Sequence, residues 1–199
     1  MAGRKPLPVS LPSFWESLYE TGDDGWDLGR PAPPLVRLLR EAPPPGGRVA
    51  VPGCGRGHDV ALWRRRGFDV VGFDFSARAV AEARRRGRNV ERRDVFLLGR
   101  EFPRAFDVAW EYTCFCAIDP ARRAEYVDVL ARILRKGGEL IALFYPLRES
   151  GEGPPFPVRR EEIESLLARG FRIESAEAPR DSVERRRGCE LLVRARRRR

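Results

Sequence analysis

The stretch VAVPGCGRGHDVALW, from Val49 to Trp63, joins a short apolar run to three glycines at alternate positions and then to an amphipathic run. Glycine adopts positive φ without strain, and it lets the backbone approach a ligand that a Cβ would hold away. Between a strand and a helix, such a turn is typical of a site for a nucleotide-like cofactor. Two details are unusual: Pro52 precedes the first glycine, and the strand ends at Val51 without an acidic residue.

The spacing of the glycines distinguishes between cofactors. Gly53, Gly55 and Gly57 form a G-x-G-x-G pattern, and His58 stands where the dinucleotide fingerprint G-x-G-x-x-G needs its third glycine. The Gly-Lys-Ser/Thr sequence of a phosphate-binding P-loop is also absent from this turn. The pattern therefore favours the methionyl group of S-adenosylmethionine over a pyrophosphate, and it disfavours a nicotinamide-linked oxidoreductase.

Acidic residues end the next two predicted strands. Asp74 stands where a carboxylate would accept hydrogen bonds from both ribose hydroxyls of such a cofactor. Asp94 stands where methyltransferases of this architecture bind the adenine amino group, and the amide of Val95 is available to a ring nitrogen. The alternative for Asp74 is a helix N-terminal acid ahead of Ser76, and the alternative for Asp94 is a turn residue. Three features at the ends of three consecutive strands favour the cofactor interpretation.

Strand and helix patterns alternate through the rest of the chain. We predict strands at Arg48–Val51, Phe68–Asp74, Asn89–Asp94, Ala105–Tyr112, Glu139–Pro146, Phe171–Ala178 and Cys189–Ala195. Helices are predicted at about Asp59–Arg66, Ala77–Arg86, Pro120–Leu134 and Arg160–Ala168, with a short one near Pro34–Arg40. This order predicts an α/β fold with a mostly parallel seven-stranded sheet, helices on both faces and a C-terminal antiparallel hairpin at one edge.

The first 47 residues differ in composition from the rest of the chain, being rich in proline, glycine and aromatic residues. We predict that residues 1–47 form an arm, or lid, packed on a domain that comprises residues 48–199. No linker indicates a second domain.

Composition limits the partners. The chain has 199 residues and a formal charge of +9, but its arginines are spread over helix faces such as Arg64–Arg66 and Arg84–Arg86. A nucleic-acid partner is therefore the weaker hypothesis, and the run Arg194–Arg199 is predicted to be a solvated end. The sequence has no apolar run that could span a bilayer and no signal-peptide pattern, so we expect a cytoplasmic monomer without membrane attachment. The four cysteines lack metal-site spacing, and we expect no metal.

Three longer stretches carry a family resemblance. FWESLYETGDDGWDLGRPAPPL, VPGCGRGHDV and EYTCFCAIDPARRAEYVDVLARILRKGGELIALFYPL resemble the thiopurine S-methyltransferase family, most closely its thiol and halide methyltransferases. The match runs from about Phe14 to Pro146 and accounts for the unusual Pro52. Beyond it, VERRRGCE is similar to an Arg-x-Gly-x-Glu segment of the family.

The resemblance implies a Rossmann-like class I methyltransferase fold and a set of cofactor contacts. The implied contacts are Trp15, Tyr19, Trp26, Gly53, Asp74, Asp94, Val95 and Tyr112. The family often has tryptophan in place of Tyr19 and aspartate in place of Glu111.

The family's chemistry is methyl transfer from S-adenosylmethionine to a small soft nucleophile, which leaves S-adenosylhomocysteine. A thiol is partly ionised at neutral pH and a halide needs no base, so direct in-line displacement requires no strong catalytic base. Tyr112, Cys116 and Tyr145 are expected on the substrate side because they follow strands four and five, with Tyr112 orienting the nucleophile. Thiols, thiopurines, halide or thiocyanate ions and metalloids stay open as acceptors. The competing hypotheses are methylation of a nucleic acid or protein, and cofactor binding without catalysis.

Overall fold

The computed structural model describes residues 8–198, so the first seven residues of the predicted arm and Arg199 lie outside the described chain. The strands are β1 Arg48–Pro52, β2 Asp69–Asp74, β3 Val90–Arg92, β4 Phe106–Tyr112, β5 Leu134–Phe144, β6 Phe171–Glu177 and β7 Leu191–Arg197. The helices are α1 Pro12–Thr21, α2 Pro33–Glu41, α3 His58–Arg65, α4 Ala77–Arg85, α5 Leu98–Glu101, α6 Arg123–Ile133 and α7 Arg160–Ala168. Short 3-10 turns lie at Val95–Leu97, Pro120–Arg122 and Glu184–Arg186.

The strands form one sheet in the order β3-β2-β1-β4-β5-β7-β6. The first five strands are parallel, whereas β7 is antiparallel to both β5 and β6. This confirms the predicted fold class, including the C-terminal antiparallel hairpin. The strand order reverses between β1 and β4, and in such sheets ligands bind beyond the carboxyl ends of the strands at this switch point.

Helices cover both faces of the sheet, and the core is divided accordingly. One buried cluster contains residues of α2, α3 and α4, and the other contains residues of α5, α6 and α7. In β1, Val49 and Val51 belong to the first cluster while Ala50 belongs to the second, as the two-residue period of a strand requires. Because β1 is buried on both faces, the turn that follows it starts from a fixed position.

The arm contributes to this core and also contains a helix that the sequence reading did not predict. In α2, Leu35, Leu38 and Leu39 recur at helical spacing and are buried against the sheet. The additional helix is α1, whose residue Tyr19 is buried. The Glu16 carboxylate in α1 accepts a 2.6 Å hydrogen bond from the Ala77 amide, which caps the start of α4.

Two local predictions were wrong. β5 begins at Leu134 rather than Glu139, because the chain enters the strand directly from α6 and Gly137 lies within it at φ +73°. The part of the arginine run from Arg194 to Arg197 is not a solvated end, because these residues belong to β7. The Arg194 guanidinium lies 2.5 Å from the Glu139 carboxylate, so this part of the run is paired to the sheet.

Candidate functional site

A cavity of about 590 Å³ lies beyond the carboxyl ends of the central strands and is covered by the arm. The predicted site residues that line it are Trp15, Tyr19, Trp26, Gly53, Gly55, Asp74, Asp94, Val95, Tyr112, Cys116 and Tyr145. Gly57 is the exception: it is the N-terminal cap of α3, and a Cβ there would lie 3.2 Å from Cδ of Arg88. The fold thus brings residues from the arm and from five strand ends around one space.

The glycine turn is a tight backbone structure with no room for a side chain at Gly53 or Gly55. Gly53 and Gly55 have φ values of +59° and +51°. A Cβ on Gly53 would lie 2.6 Å from Sγ of Cys114, and one on Gly55 would lie 3.0 Å from the Tyr19 hydroxyl. The turn therefore presents bare backbone to the cavity, which fits a ligand that approaches the main chain closely.

Asp74 is held at the end of β2 by two backbone amides. Its carboxylate accepts hydrogen bonds from Gly55 N–H at 2.8 Å and from Ser76 N–H at 2.9 Å, one on each oxygen. Burial raises the pKa of Asp74 to about 6, partly offset by these hydrogen bonds. Each oxygen keeps further acceptor capacity. The group is thus mainly ionised at neutral pH and can accept two hydroxyl donors from a ribose.

Asp94 and Val95 form the next part of the wall, after β3. One Asp94 oxygen accepts a 3.0 Å hydrogen bond from Phe96 N–H and so begins the 3-10 turn. The Arg122 guanidinium stacks 3.4 Å from the centre of the Phe96 ring. A carboxylate, a backbone amide and a flat apolar surface therefore meet here, which suits the edge and face of a purine.

The aromatic side chains of the arm pack on one another at the cavity mouth. The Trp26 ring makes edge-to-face contacts with Trp15 and Tyr19, each at a centroid distance of 5.4 Å. The Trp15 indole N–H is already bonded to the Val9 carbonyl at 2.8 Å. Trp15 therefore offers the cavity its apolar surface rather than its donor. Aromatic faces of this kind attract a sulfonium by roughly 0.5–2 kcal/mol each.

Charged residues fasten the arm to the glycine turn. Arg56, inside the turn, lies 2.5 Å from Asp24, 2.7 Å from Asp27 and 2.6 Å from Glu82. His58 Nε2 lies 3.1 Å from Asp27. Burial raises the pKa of Asp27, but hydrogen bonds from His58 and Arg56 outweigh this and hold it well below its usual range. The arm and the turn are thus joined by ion pairs next to the cavity.

Tyr112, at the end of β4, takes part in a buried polar network. Its hydroxyl donates to Glu190 at 2.9 Å and accepts a hydrogen bond from Arg186. Arg186 also donates to the Trp26 carbonyl at 2.8 Å, stacks 4.5 Å from the centre of the Tyr145 ring and is 2% exposed. Arg186 lines the cavity beside Tyr112, and its guanidinium lies 3.9 Å from the buried Glu190 carboxylate.

Sequence reasoning assigned no role to Arg186 or Glu190. The available signal was the Arg-x-Gly-x-Glu segment, whose first and last residues they are. Gly188, between them, has φ +78°, which turns the chain so that both side chains reach Tyr112.

Glu111 and Cys116 support the wall rather than supplying a base or a nucleophile. The buried Glu111 carboxylate accepts hydrogen bonds from the Tyr126 hydroxyl at 2.5 Å and from Phe115 N–H at 2.8 Å. Burial raises the pKa of Glu111 to about 7. Burial also raises the pKa of the Cys116 thiol to about 12, so it is protonated at neutral pH. Its Sγ–H donates to the Thr113 carbonyl at 3.3 Å.

Residues 8–198 lack two features that would indicate other kinds of protein. No helix within that range is long and apolar enough to cross a membrane. Over the same residues, no group of three or more His, Cys, Asp or Glu side chains is placed to hold a metal ion.

The fold is one that S-adenosylmethionine-dependent methyltransferases adopt. The same architecture occurs in the 1,6-didemethyltoxoflavin-N1-methyltransferase of Burkholderia thailandensis, solved with 1,6-didemethyltoxoflavin and S-adenosylhomocysteine bound. That structure aligns with a TM-score of 0.74 and 22% identity, over 99% of this chain and 94% of the other.

The chain belongs to the thiopurine S-methyltransferase family, whose sequence model matches residues 11–196. It is 35% identical over 187 residues to the probable thiol methyltransferase 2 of Arabidopsis thaliana and to thiocyanate methyltransferase 1 of Brassica oleracea. Each match covers 90% of this chain and 83% of the relative. The family resemblance drawn from the sequence is thereby confirmed, and with it the assignment as a methyltransferase.

Proposed function

We propose that this enzyme transfers a methyl group from S-adenosylmethionine to a small soft nucleophile, such as a thiol, a thiopurine, or a halide or thiocyanate ion, by direct in-line displacement. One observation carries the proposal: a single cavity joins the Gly55–Asp74 cradle to the buried Arg186 beside Tyr112. The names of the plant relatives point to the same acceptor class.

The strand order gives the cavity a direction. Asp94 follows β3, Asp74 ends β2, Gly53 follows β1, Tyr112 ends β4 and Tyr145 follows β5, and these strands are neighbours in that order. Four intervals of about 4.8 Å make a track of roughly 19 Å along the sheet edge. We assign the adenine to the β3 end, the ribose to Asp74, the methionyl group to the turn and the acceptor to the β4–β5 end.

When bound, S-adenosylmethionine supplies an electrophilic methyl group on a sulfonium. The Asp74 carboxylate accepts hydrogen bonds from the ribose hydroxyls. The Asp94 carboxylate and the Val95 amide bind the edge of the adenine. Gly53 and Gly55 give the methionyl group access to the backbone. Trp15, Tyr19 and Trp26 exclude water and contribute cation–π attraction. Holding the reacting atoms collinear is the main catalytic contribution expected in a displacement of this kind.

The Arg186 guanidinium gives the acceptor end a binding group for an anion, and the Glu190 carboxylate 3.9 Å away balances part of its charge. Arg186 has donors beyond the two bonded to Tyr112 and Trp26, and its charge lowers the pKa of a thiol placed beside it. Burial raises the pKa of Tyr112, so its hydroxyl stays protonated and holds Glu190 and Arg186 in place. Tyr112 thus orients the acceptor through Arg186. A thiolate, halide or thiocyanate reacts there without a general base.

The test is a methyl-transfer assay on aliphatic and aromatic thiols, thiopurines, iodide, thiocyanate and selenium or tellurium oxyanions. We expect turnover on at least one thiol or anion. Tight binding of S-adenosylhomocysteine with no turnover on any of them would overturn the proposal in favour of a cofactor-binding protein. Turnover only on RNA, DNA or protein would instead establish a macromolecular substrate. Calorimetry with S-adenosylhomocysteine tests the cofactor assignment separately.

A further inference from the structure

The segment Gly151–Pro157, here called the proline-rich loop, forms part of the cavity wall through Pro154 and Pro155. It follows β5 and therefore lies at the end assigned above to the acceptor. Its backbone is tied to the turn after β4, because Phe156 N–H donates to the Cys116 carbonyl at 2.7 Å. The loop and that turn thus form two walls of the same pocket.

A buried arginine outside the cavity holds these walls together. Arg123, the first residue of α6, is 2% exposed and donates through Nη1 to the Pro157 carbonyl at 2.9 Å. The same nitrogen lies 2.9 Å from both oxygens of Glu162 in α7. The guanidinium also lies 4.7 Å from the centre of the Phe115 ring, in the turn after β4. The Arg123 side chain therefore joins the proline-rich loop, the turn after β4, and helices α6 and α7.

Stability alone does not account for this arrangement. Removing a guanidinium from water is costly, and buried ion pairs replaced by apolar residues often leave a protein as stable or more so. An arginine bonded to backbone carbonyls does, however, fix the loop at a defined distance from α6, which apolar contacts do less specifically.

We propose that Arg123 is a positioning residue for the acceptor: by fixing the proline-rich loop, it sets acceptor affinity and the preference for small acceptors. Arg123 is not among the residues that line the cavity, so it acts through Pro154 and Pro155. The cofactor contacts at Gly55 and Asp74 lie at the other end of the cavity and are independent of it. The assignment of this end to the acceptor rests on the proposed function.

The experiment compares Arg123→Met with a control, Arg160→Met, which breaks the exposed 3.0 Å ion pair between Arg160 and Glu164 at the start of α7. In Arg123→Met, we expect hydrogen–deuterium exchange at the Phe156 amide to be at least tenfold faster. Exchange in the glycine turn should be unchanged. The acceptor KM should rise at least fivefold, with more loss for iodide than for a bulky aromatic thiol. The dissociation constant of S-adenosylhomocysteine should stay within twofold, and Arg160→Met should resemble the wild type in every measurement.

Unchanged exchange at Phe156, or acceptor and cofactor constants that worsen together, would overturn the proposal. Should Arg123→Met fail to fold, Glu162→Gln removes one charge of the pair while retaining an acceptor. It should shift exchange and acceptor KM in the same direction by a smaller factor, and wild-type values in both would refute the proposal. The exchange measurement needs no turnover. Wild-type inactivity on every acceptor would therefore refute the proposed function while the loop-fixing role is still decided by exchange.

Discussion

Replacing Asp74 with asparagine tests the cofactor site most directly. Each carboxylate oxygen accepts a hydrogen bond from a backbone amide, one from Gly55 at 2.8 Å and the other from Ser76 at 2.9 Å. An asparagine amide group must place its NH₂ against one of these two donors, whichever way it is turned. The substitution therefore removes the charge that would receive the ribose hydroxyls and also disturbs the turn that carries the methionyl contacts.

The size of the effect follows from the hydrogen bonds involved. A hydrogen bond to a charged group contributes about 1.5–3 kcal/mol. Asparagine retains one acceptor oxygen, so the substitution removes one such hydrogen bond and weakens a second. The expected loss of binding free energy is about 2–4 kcal/mol in all. The dissociation constant of S-adenosylhomocysteine should consequently rise roughly 30- to 700-fold.

Isothermal calorimetry measures this change, and thermal unfolding verifies that the variant is folded. The matched control is Asp69→Asn, because Asp69 is exposed at the opposite end of the same strand. The control should bind as the wild type does. A folded Asp74→Asn variant whose affinity stays within threefold of the wild type would refute the assignment of Asp74 to the ribose.

The pH dependence of binding provides a second signature. The pKa of Asp74 is about 6 in the free protein, because burial disfavours its charge. Ribose hydroxyls donate to the ionised form, so wild-type affinity should be flat above pH 7 and should fall about tenfold per pH unit well below 6. Asp74→Asn should lack this dependence. Equal slopes in the two proteins would assign the pH effect to another group.

Three further substitutions test other parts of the site. Gly53→Ala places a Cβ 2.6 Å from Cys114 Sγ at φ +59°, so unfolding should require about 1–3 kcal/mol less and cofactor affinity should fall. Glu111 has a pKa of about 7 against an ordinary 4.5, so its stabilising contribution is present at acid pH and is lost as the pH rises through 7. Glu111→Gln should therefore flatten the fall in unfolding free energy between pH 5 and 8 in urea titrations. Tyr112→Phe deprives Glu190 of a donor, so kcat/KM for the acceptor should fall roughly tenfold or more while S-adenosylhomocysteine binds within threefold of wild type. For Gly53→Ala, the control is Gly87→Ala, where φ is +69° but a Cβ meets nothing within 4 Å, and equal losses in the two would show that φ alone matters. If the pH profile of Glu111→Gln were identical to that of the wild type, the burial argument would be contradicted. Equal losses of acceptor and cofactor affinity in Tyr112→Phe would contradict the place of Tyr112 at the acceptor end.

Local patterns were enough to predict the elements that form the cofactor end. β1 and β2 are short apolar runs, and Ser76 caps α4 through a 3.1 Å bond from the Ala79 amide, as its residue type predicts. These features depend on neighbours within a few residues. The sheet order then follows from general rules for alternating strands and helices, so the fold class could be predicted well.

Parts of the site that depend on distant contacts could not be predicted this way. α1 lacks a side-chain cap at Leu11, so nothing in the local sequence marks its start strongly. Arg186 meets Tyr112 only because β7 is inserted next to β5, and no local pattern gives that distance. The role of Glu111 likewise depends on Tyr126 in the following helix. Only a family motif pointed towards Arg186 and Glu190.

The position of β7 has a consequence for the order in which the enzyme matures during synthesis. This strand pairs with β5 on one side and β6 on the other, although both precede it in the chain. The ribosome therefore releases the arm and the glycine turn long before Leu191 can join β5 to β6. Until then Arg186 has no fixed position from which to reach the Trp26 carbonyl. A chain interrupted before Leu191 would contain the whole glycine turn, but β6 would have no neighbouring strand, so the contacts of Arg186 at the acceptor end depend on a later part of the chain than the cofactor turn does.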